Sequence, residues 1–209
     1  MRLRWLGHAA FSLEIGGITL CLDPHRPGAV GGRFALPAIH GPFDAVIISH
    51  RHEDHAGWTP ALGSNRLIDH DIDLGPVQLR MRAVVHDLAA GTRAGLVRMM
   101  SVQAAGERLV HCSDIAAFSS ADVAWLRGTD VLLVPCGGTY TFDGQQAADF
   151  ARQVGARWTV PMHYADPRID LPLRPLADFA RAWGERVVPA ESLDTKGNQP
   201  AGALSLRRP

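Results

Sequence analysis

Cysteine is scarce in this 209-residue chain, and its three copies, Cys21, Cys112 and Cys136, are odd in number and far apart. Each lies in or beside an apolar run, which excludes a disulfide framework and indicates buried thiols in a reducing compartment. The first residues lack the apolar segment and small-residue cleavage site of a signal peptide, and no apolar run is long enough to cross a bilayer. We therefore expect a cytoplasmic location and no membrane span.

The chain has a net charge of zero, since 21 Lys and Arg residues balance 21 Asp and Glu residues. Without an excess of positive charge, we expect no nucleic-acid partner. Hydrophobic residues make up 46% of the chain, which at this length supports a large buried core. The sequence predicts a single domain over residues 1–209, with a long Gly- and Pro-rich loop at 24–42 and a frayed end to the polar tail that starts at residue 195.

The chain carries a faint internal duplication. The segment FSLEIGGITLCLD, ending at Asp23, alternates apolar and polar residues about a Gly-Gly turn, and RMMSVQAAGERLVHCSD, ending at Asp114, repeats this pattern. Each is followed by a continuous apolar run, AVIIS and VLLVP, typical of a strand covered on both faces. Start signals at Ser119, Asp143 and Pro175 predict three helices. The pattern indicates an α/β fold (α+β in some schemes) of two similar halves, with helices covering sheets.

Histidine is abundant, with ten copies, and four potential metal ligands fall within the six residues HRHEDH, directly after the apolar run AVIIS. In an extended chain, residues i and i+2 point to the same side, so His50 and His52 can bind one ion. The chain then turns, and Asp54 with His55 can face a second ion nearby. Because imidazole and carboxylate ligands suit zinc, iron or manganese, this block predicts two divalent metal ions.

A closed site needs further ligands, and three candidates lie at the ends of strand-like runs: His86 after VV, Asp114 after VHCS, and His163 after VPM. Taken alone, each is more commonly a histidine at the edge of the core or an aspartate in a turn. The carboxyl ends of strands are nevertheless where open α/β sheets bind ligands. Together with the histidine block, their order favours one shared metal site.

These motifs resemble the metallo-β-lactamase-fold hydrolase superfamily, in particular the branch of the ascorbate-phosphate lactonase and the N-acyl phosphatidylethanolamine phospholipase D relatives. The similarity spans Leu3 to Tyr164 and runs through WLGHAAFSLEIGGITLCLDP, ISHRHEDHAG, HCSD, VPCGGTYTFD and VPMHY. It implies a four-layer αβ/βα sandwich with a dinuclear metal site in a cleft along one edge.

The resemblance also implies a role for each candidate ligand. It assigns three ligands to each ion and one to both: His50, His52 and His86 to the first, Asp54, His55 and His163 to the second, and Asp114 as the bridge. Asp23 would orient the histidine block by hydrogen bonding rather than by binding metal. The chain departs from the family where Ile115 replaces a threonine beside the bridging aspartate, and the stretch between His55 and His86 is short for this branch.

Two cations that share a hydroxide can clamp the attacked group and supply a nucleophile at neutral pH. The sequence therefore predicts a metal-dependent hydrolase, with zinc the first choice and manganese or iron possible. A hydroxide held by both ions would attack an ester, lactone or phosphodiester of a small-molecule substrate. Asp54 and Asp114 are the expected catalytic carboxylates.

Two alternatives stay open. One is a redox diiron protein on the same fold, although such proteins commonly carry Glu where His52 stands, and the other is a catalytically silent, metal-stabilised binding module. We expect the substrate to be chosen by the loop 24–42, the loop after His86 and the segment near Tyr164. The roles of His8, His25, His40 and Tyr164 stay open, as does the oligomeric state, a homo-oligomer included.

Overall fold

The computed structural model describes residues 1–64, 66–86 and 95–208. Its strands, in chain order, are β1 (Arg2–Gly7), β2 (Ala10–Ile15), β3 (Ile18–Leu22), β4 (Ala45–Ile47), β5 (Leu67–Ile68), β6 (Ile72–Leu74), β7 (Val77–Val85), β8 (Leu96–Ala104), β9 (Glu107–His111), β10 (Val131–Pro135), β11 (Trp158–Met162), β12 (Val188–Ala190), β13 (Leu193–Asp194) and β14 (Gly202–Leu206). Its helical segments are the short α1 (Ala29–Gly32), α2 (Ser120–Leu126), α3 (Gly144–Val154), α4 (Leu176–Trp183) and a 3₁₀ turn at Pro60–Leu62.

The strands form two mixed sheets. The first has the order β13-β1-β2-β3-β4-β5, and the second has the order β12-β14-β11-β10-β9-β8-β7-β6. In the first sheet the antiparallel hairpin β2–β3 leads to β4, which lies parallel to β3. In the second sheet the hairpin β8–β9 leads in the same way to β10, which lies parallel to β9. The structure confirms the predicted duplication and the α/β class.

Apolar side chains of both sheets form the largest core cluster. Its fully buried members include Leu3, Phe11, Leu13, Leu133, Trp158 and Val160. Leu132 and Val134, which alternate with Leu133 along β10, belong to a second cluster with Phe150 of α3 and Phe179 of α4. Because β10 is covered on both faces, all five of its residues are buried, as its continuous apolar run predicts.

Local signals set where the helices begin and end. Ser119 and Asp122 cap the start of α2 reciprocally, and Asp143 and Gln146 do the same for α3. Gly155 ends α3 with a φ of 68°, a left-handed conformation that suits glycine. The third predicted helix is α4. The start and stop signals in the sequence therefore predicted all three helices.

The outer face of the first sheet is covered differently. Residues of β2, β3 and β4 pack there in one cluster with side chains from irregular chain and from the 3₁₀ turn: Ala10, Cys21, Val46, Ile48, Ile39, Phe43 and Leu62. Within the described part of 56–86, the secondary structure consists of the 3₁₀ turn, β5, β6 and β7. This fits the shortness of the segment between His55 and His86.

The tail that starts at residue 195 contains a strand that its polar composition did not predict. Residues 202–206 form β14, which lies between β11 and β12 and pairs parallel with both. Ala203, Leu204 and Leu206 are buried. On one side of the second sheet Ala203 packs in the second cluster, and on the other side Leu204 and Leu206 pack in the largest core cluster. Among the helices of the described residues, none is long and apolar enough to cross a membrane.

Candidate metal centre

Strand ends bring the predicted ligands to one place. His50 follows β4, His86 follows β7, Asp114 follows β9 and His163 follows β11. The same end of the sheets opens into a cleft of about 1090 Å³, whose floor is lined by His52, Asp54, His86, Asp114 and His163. The chain therefore gathers on one surface the candidate ligands that lie more than one hundred residues apart in sequence.

The candidate ligands form two neighbouring groups. In the first, one potential ligand atom from each of His50, His52 and His86 lies within 4.8 Å of the others, and His50 Nε2 is 3.0 Å from His52 Nδ1. His50 and His86 are buried, whereas His52 is exposed in the cleft. The i and i+2 spacing thus places both imidazoles on one side of the chain.

The second group contains Asp54, His55 and His163, joined by His8. His55 Nε2 is 3.6 Å from Asp54 Oδ2, and all four side chains are buried. The sequence did not assign His8 to this group. Its only signal was a histidine directly after the first strand-like run, which is too common a feature to single out.

Asp114 lies between the two groups. Its Oδ1 is 3.2 Å from His55 Nε2, and its Oδ2 is 3.4 Å from His163 Nε2. On the other side, Oδ2 is 4.0 Å from His50 Nε2 and 3.9 Å from His86 Nε2. One carboxylate thus faces imidazoles of both groups, which is the position that a bridging ligand needs.

Buried polar atoms without partners test whether these residues fit metal ions. His55 Nε2 and Asp114 Oδ1 are buried and have no hydrogen-bond partner in the part of the chain that the structure describes, although they are 3.2 Å apart. A charge-assisted hydrogen bond would be shorter, about 2.7–2.9 Å. Ligand atoms that each bind a tetrahedral ion at about 2.0–2.1 Å lie about 3.3 Å from one another. The spacing and the donor types fit divalent metal ions.

The titratable groups of the centre shift one another's pKa values strongly. Burial, reinforced by His55, lowers the pKa of His50 to about 3. Burial alone would raise the pKa of Asp54 and Asp114, but facing histidines, His55 among them, hold the pKa of both carboxyls below the ordinary value. Burial alone would lower the pKa of His55, yet Asp114 and Asp54 raise it well above normal. Without metal, a protonated His55 therefore balances the two carboxylates, and a metal ion that binds His55 Nε2 has to displace that proton.

Asp23 holds the histidine block from behind. Its Oδ1 accepts a hydrogen bond from the Ser49 backbone N–H at 2.7 Å, and its Oδ2 accepts one from the Ser49 hydroxyl at 2.6 Å. Oδ2 also lies 2.8 Å from His55 Nδ1, and Ser49 Oγ lies 2.9 Å from His50 Nδ1. With their Nδ1 atoms engaged, His55 and His50 present Nε2 toward Asp114. A hydrogen bond to the far nitrogen of this kind fixes the tautomer and orientation of a metal-binding histidine.

Strained backbone marks several of these positions. His8, Asp23, Ser113 and His163 have φ values of 53°, 42°, 54° and 54°, although none is glycine. Residues in this left-handed region are uncommon and cluster at functional sites, where the surrounding fold holds them. All four follow the ends of strands that lead into the centre.

The remaining histidines lie elsewhere. His111 is buried, with Nε2 2.8 Å from the Ala9 carbonyl oxygen, and His25 Nε2 lies 3.1 Å from the Pro37 carbonyl oxygen. His40 is exposed. Tyr164 packs against the Trp5 ring at 5.4 Å, and burial raises the pKa of its hydroxyl.

Three segments form the rim of the cleft. Val30 and Arg33 come from the loop 24–42, Thr139 and Tyr140 from the loop after β10, and Arg174 from the segment after His163, among other residues. The loop 24–42 is one of the three regions expected to choose the substrate. The segment near Tyr164 is another, but the lining residues from this side of the cleft are Leu171 and Arg174, further along the chain. The third, the loop after His86, lies outside the described residues.

Similarity to known proteins extends over most of the chain. Residues 2–163 match the family described as the beta-lactamase superfamily domain. A relative from Methanoculleus marisnigri, named a UPF0173 metal-dependent hydrolase, is 31% identical over 190 residues, which cover 78% of this chain and 81% of the relative. A protein of the same name from Opitutus terrae is 28% identical, and the match covers 90% of this chain and 95% of the relative.

A solved structure from Thermotoga maritima, described as a proposed zinc-dependent hydrolase of the metallo-beta-lactamase superfamily, has the same fold. It superposes with a TM-score of 0.78 at 26% identity and covers 98% of this chain, with 96% of its own chain matched. The shared architecture therefore extends over nearly all of both chains.

Proposed function

The chain belongs to the beta-lactamase superfamily as a metal-dependent hydrolase, and we propose that it hydrolyses an ester, lactone or phosphodiester of a small-molecule substrate at a dinuclear centre. One observation carries the proposal. A single carboxylate, Asp114, lies within 3.2–4.0 Å of imidazoles from both ligand groups. A structural aspartate does not need imidazoles on both sides, whereas a carboxylate shared by two adjacent cations does.

Each ligand group would hold one ion. His50, His52 and His86 are the proposed ligands of the first, Asp54, His55 and His163 are those of the second, and Asp114 is shared. When bound, such a pair supplies Lewis acidity and lowers the pKa of a coordinated water toward 7. Zinc is our first choice, because a mixed set of imidazoles and carboxylates suits it, with manganese or iron next.

The chain's own residues would position the reactants. Asp54 lines the cleft floor and is held ionised by its histidine neighbours, so it can accept or direct a proton beside the attacked group. His52, the exposed member of the first group, is accessible to a substrate that enters the cleft. A cleft of about 1090 Å³ suits a ligand of small-molecule size better than a polymer.

We also propose a reducing, cytoplasmic location. All three cysteines are free and buried, and burial raises the pKa of each thiol. Thiols of this kind persist where disulfides are not formed.

A hydrolysis panel with matched variants tests the function. The purified protein would be stripped with a chelator, reloaded with zinc, manganese or iron, and assayed on 4-nitrophenyl esters, simple lactones and bis(4-nitrophenyl) phosphate. We expect metal-dependent turnover of at least one class, lost by about 100-fold or more in His52→Ala and Asp114→Ala, since even partners behind a ligand contribute about 10–100-fold.

His70→Ala and Asp149→Ala are the matched controls, because both residues are exposed and lie outside the centre. They should retain metal and turnover. Folded His52→Ala and Asp114→Ala proteins that keep wild-type turnover would refute the proposal.

A further inference from the structure

His8 occupies an unusual place for a hairpin residue. It follows β1 at Gly7 and precedes β2, which starts at Ala10, so it lies at the tip of a tight turn with a φ of 53°. Turns of this kind favour glycine or asparagine and normally face solvent. His8 is nevertheless only 1% exposed. Its carbonyl oxygen accepts hydrogen bonds from Trp5 Nε1 at 2.9 Å and from the His163 backbone N–H at 3.3 Å, which fix this tip inside the molecule.

The fixed backbone aims the imidazole into the second ligand group. A potential ligand atom of His8 lies within 4.8 Å of those of Asp54, His55 and His163. The His8 and His163 rings are 3.9 Å apart between centroids, and the Phe34 ring packs edge-on against His8 at 4.9 Å. Packing thus restricts the ring to one orientation, with Nε2 toward Asp54.

The distance from His8 Nε2 to Asp54 Oδ2 is 3.3 Å. This is longer than the roughly 2.7–2.9 Å of a hydrogen bond to a carboxylate, and it falls within the roughly 2.9–3.6 Å between neighbouring ligands of a five-coordinate ion. It also lies within the 3.2–3.6 Å range of the other ligand-atom pairs around His55. His8 Nδ1 has no hydrogen-bond partner among the described residues, so the side chain directs its one polar contact toward Asp54.

We infer that His8 is a further metal ligand, which binds through Nε2 the ion proposed for Asp54, His55 and His163. The inference rests on the proposed dinuclear centre and extends its ligand set. With His8, the second site has three imidazoles and Asp54 before Asp114 is counted. Such a nitrogen-rich set favours zinc, cobalt, nickel or iron over magnesium or calcium.

Cobalt substitution tests the inference without relying on turnover. The metal-free protein would be titrated with Co²⁺, and bound equivalents and the visible absorption spectrum, which reports coordination number, would be recorded. We expect two equivalents for the wild type. In His8→Ala, one of them should bind about 100-fold or more weakly with an altered spectrum, and added imidazole should restore the spectrum by filling the vacated space.

His8→Gln separates a ligand from a hydrogen-bond donor. Its amide can occupy the place of Nε2 and donate a hydrogen bond to Asp54, but it is a poor metal ligand, so we expect it to behave like His8→Ala. His25→Ala is the control, because His25 is equally buried at 1% exposure but bonds the Pro37 carbonyl oxygen. It should bind both cobalt equivalents as the wild type does.

Recovery of wild-type cobalt affinity in His8→Gln, or an unchanged affinity and spectrum in folded His8→Ala, would overturn the inference. A wild-type chain that binds fewer than two cobalt equivalents would instead refute the dinuclear centre. Thermal unfolding of the metal-free variants establishes that they are folded, and His8→Gln provides the ligand test if His8→Ala is not.

Discussion

Replacing Asp23 with asparagine removes one charge and one acceptor from behind the metal centre while keeping the side-chain shape. Asp23 is fully buried and receives hydrogen bonds from the Ser49 backbone N–H and hydroxyl, with His55 Nδ1 at 2.8 Å. Asparagine offers a single oxygen to these groups. If its NH₂ replaces Oδ1, it faces the Ser49 N–H. If the NH₂ takes the place of Oδ2, the Ser49 hydroxyl and His55 Nδ1 both lose their acceptor.

Either orientation leaves a buried donor unpaired, which costs about 1–3 kcal/mol, and removes charged hydrogen bonds that contribute about 1.5–3 kcal/mol each. We expect Asp23→Asn to lower the free energy of unfolding by about 3 kcal/mol. At this chain length, 1 kcal/mol lowers Tm by about 2–4 °C, so Tm should fall by about 6–12 °C. Without the carboxylate at its Nδ1, His55 is also a less basic and less firmly oriented ligand, so metal affinity should fall about 10–100-fold.

Thermal unfolding of the metal-free protein and metal titration measure the two effects separately. Asp122→Asn is the matched control, because Asp122 is also buried and accepts charged and neutral hydrogen bonds but lies at the start of α2. It should lose stability and keep its metal affinity. An Asp23→Asn protein with the Tm and metal affinity of the wild type would refute the role given to Asp23.

Two further predictions concern the frame around the centre. Asp122 accepts hydrogen bonds from Ser119 and Arg82, and although burial opposes it, these donors hold the pKa of this carboxyl below its ordinary 3.8. Asp122→Asn should therefore lower the free energy of unfolding by about 1–2 kcal/mol at neutral pH. Urea unfolding should show this difference between wild type and variant vanish as the pH falls through the lowered pKa of Asp122. An equal difference at every pH would contradict the prediction. A Cβ at Gly137 would lie 2.0 Å from the His163 carbonyl oxygen. Gly137→Ala should therefore displace His163 and weaken metal binding, as measured by calorimetric titration. An unchanged metal affinity would show that the backbone contact at Gly137 does not position His163.

Features that depend on neighbouring residues were predictable from the sequence. The capping pairs at Ser119 and Asp143 set the starts of α2 and α3, because a side chain two or three residues away satisfies the first free N–H groups. The alternating pattern about the turns at 16–17 and 105–106 set both hairpins. The order of the candidate ligands after strand-like runs led us to expect one shared site. The structure brings these side chains together, and their role as metal ligands stays a prediction.

Features that depend on distant partners were not predictable. The tail looked polar and irregular, yet β14 pairs with β11 on one side and β12 on the other, which satisfies backbone groups along both of its edges. His8 looked like any histidine at the end of a strand, and its burial results from contacts with Phe34 and His163. Irregular chain and the 3₁₀ turn cover the outer face of the first sheet. Tertiary contacts hold them there, and no periodic pattern of apolar residues in the sequence predicts this arrangement.

A crystal structure of the zinc-loaded protein, with anomalous diffraction measured at the zinc edge, tests the dinuclear centre most directly. We predict two anomalous peaks in the cleft, one bound by His50, His52 and His86, the other by Asp54, His55 and His163, with Asp114 contacting both. A single peak, or peaks away from Asp114, would contradict the account.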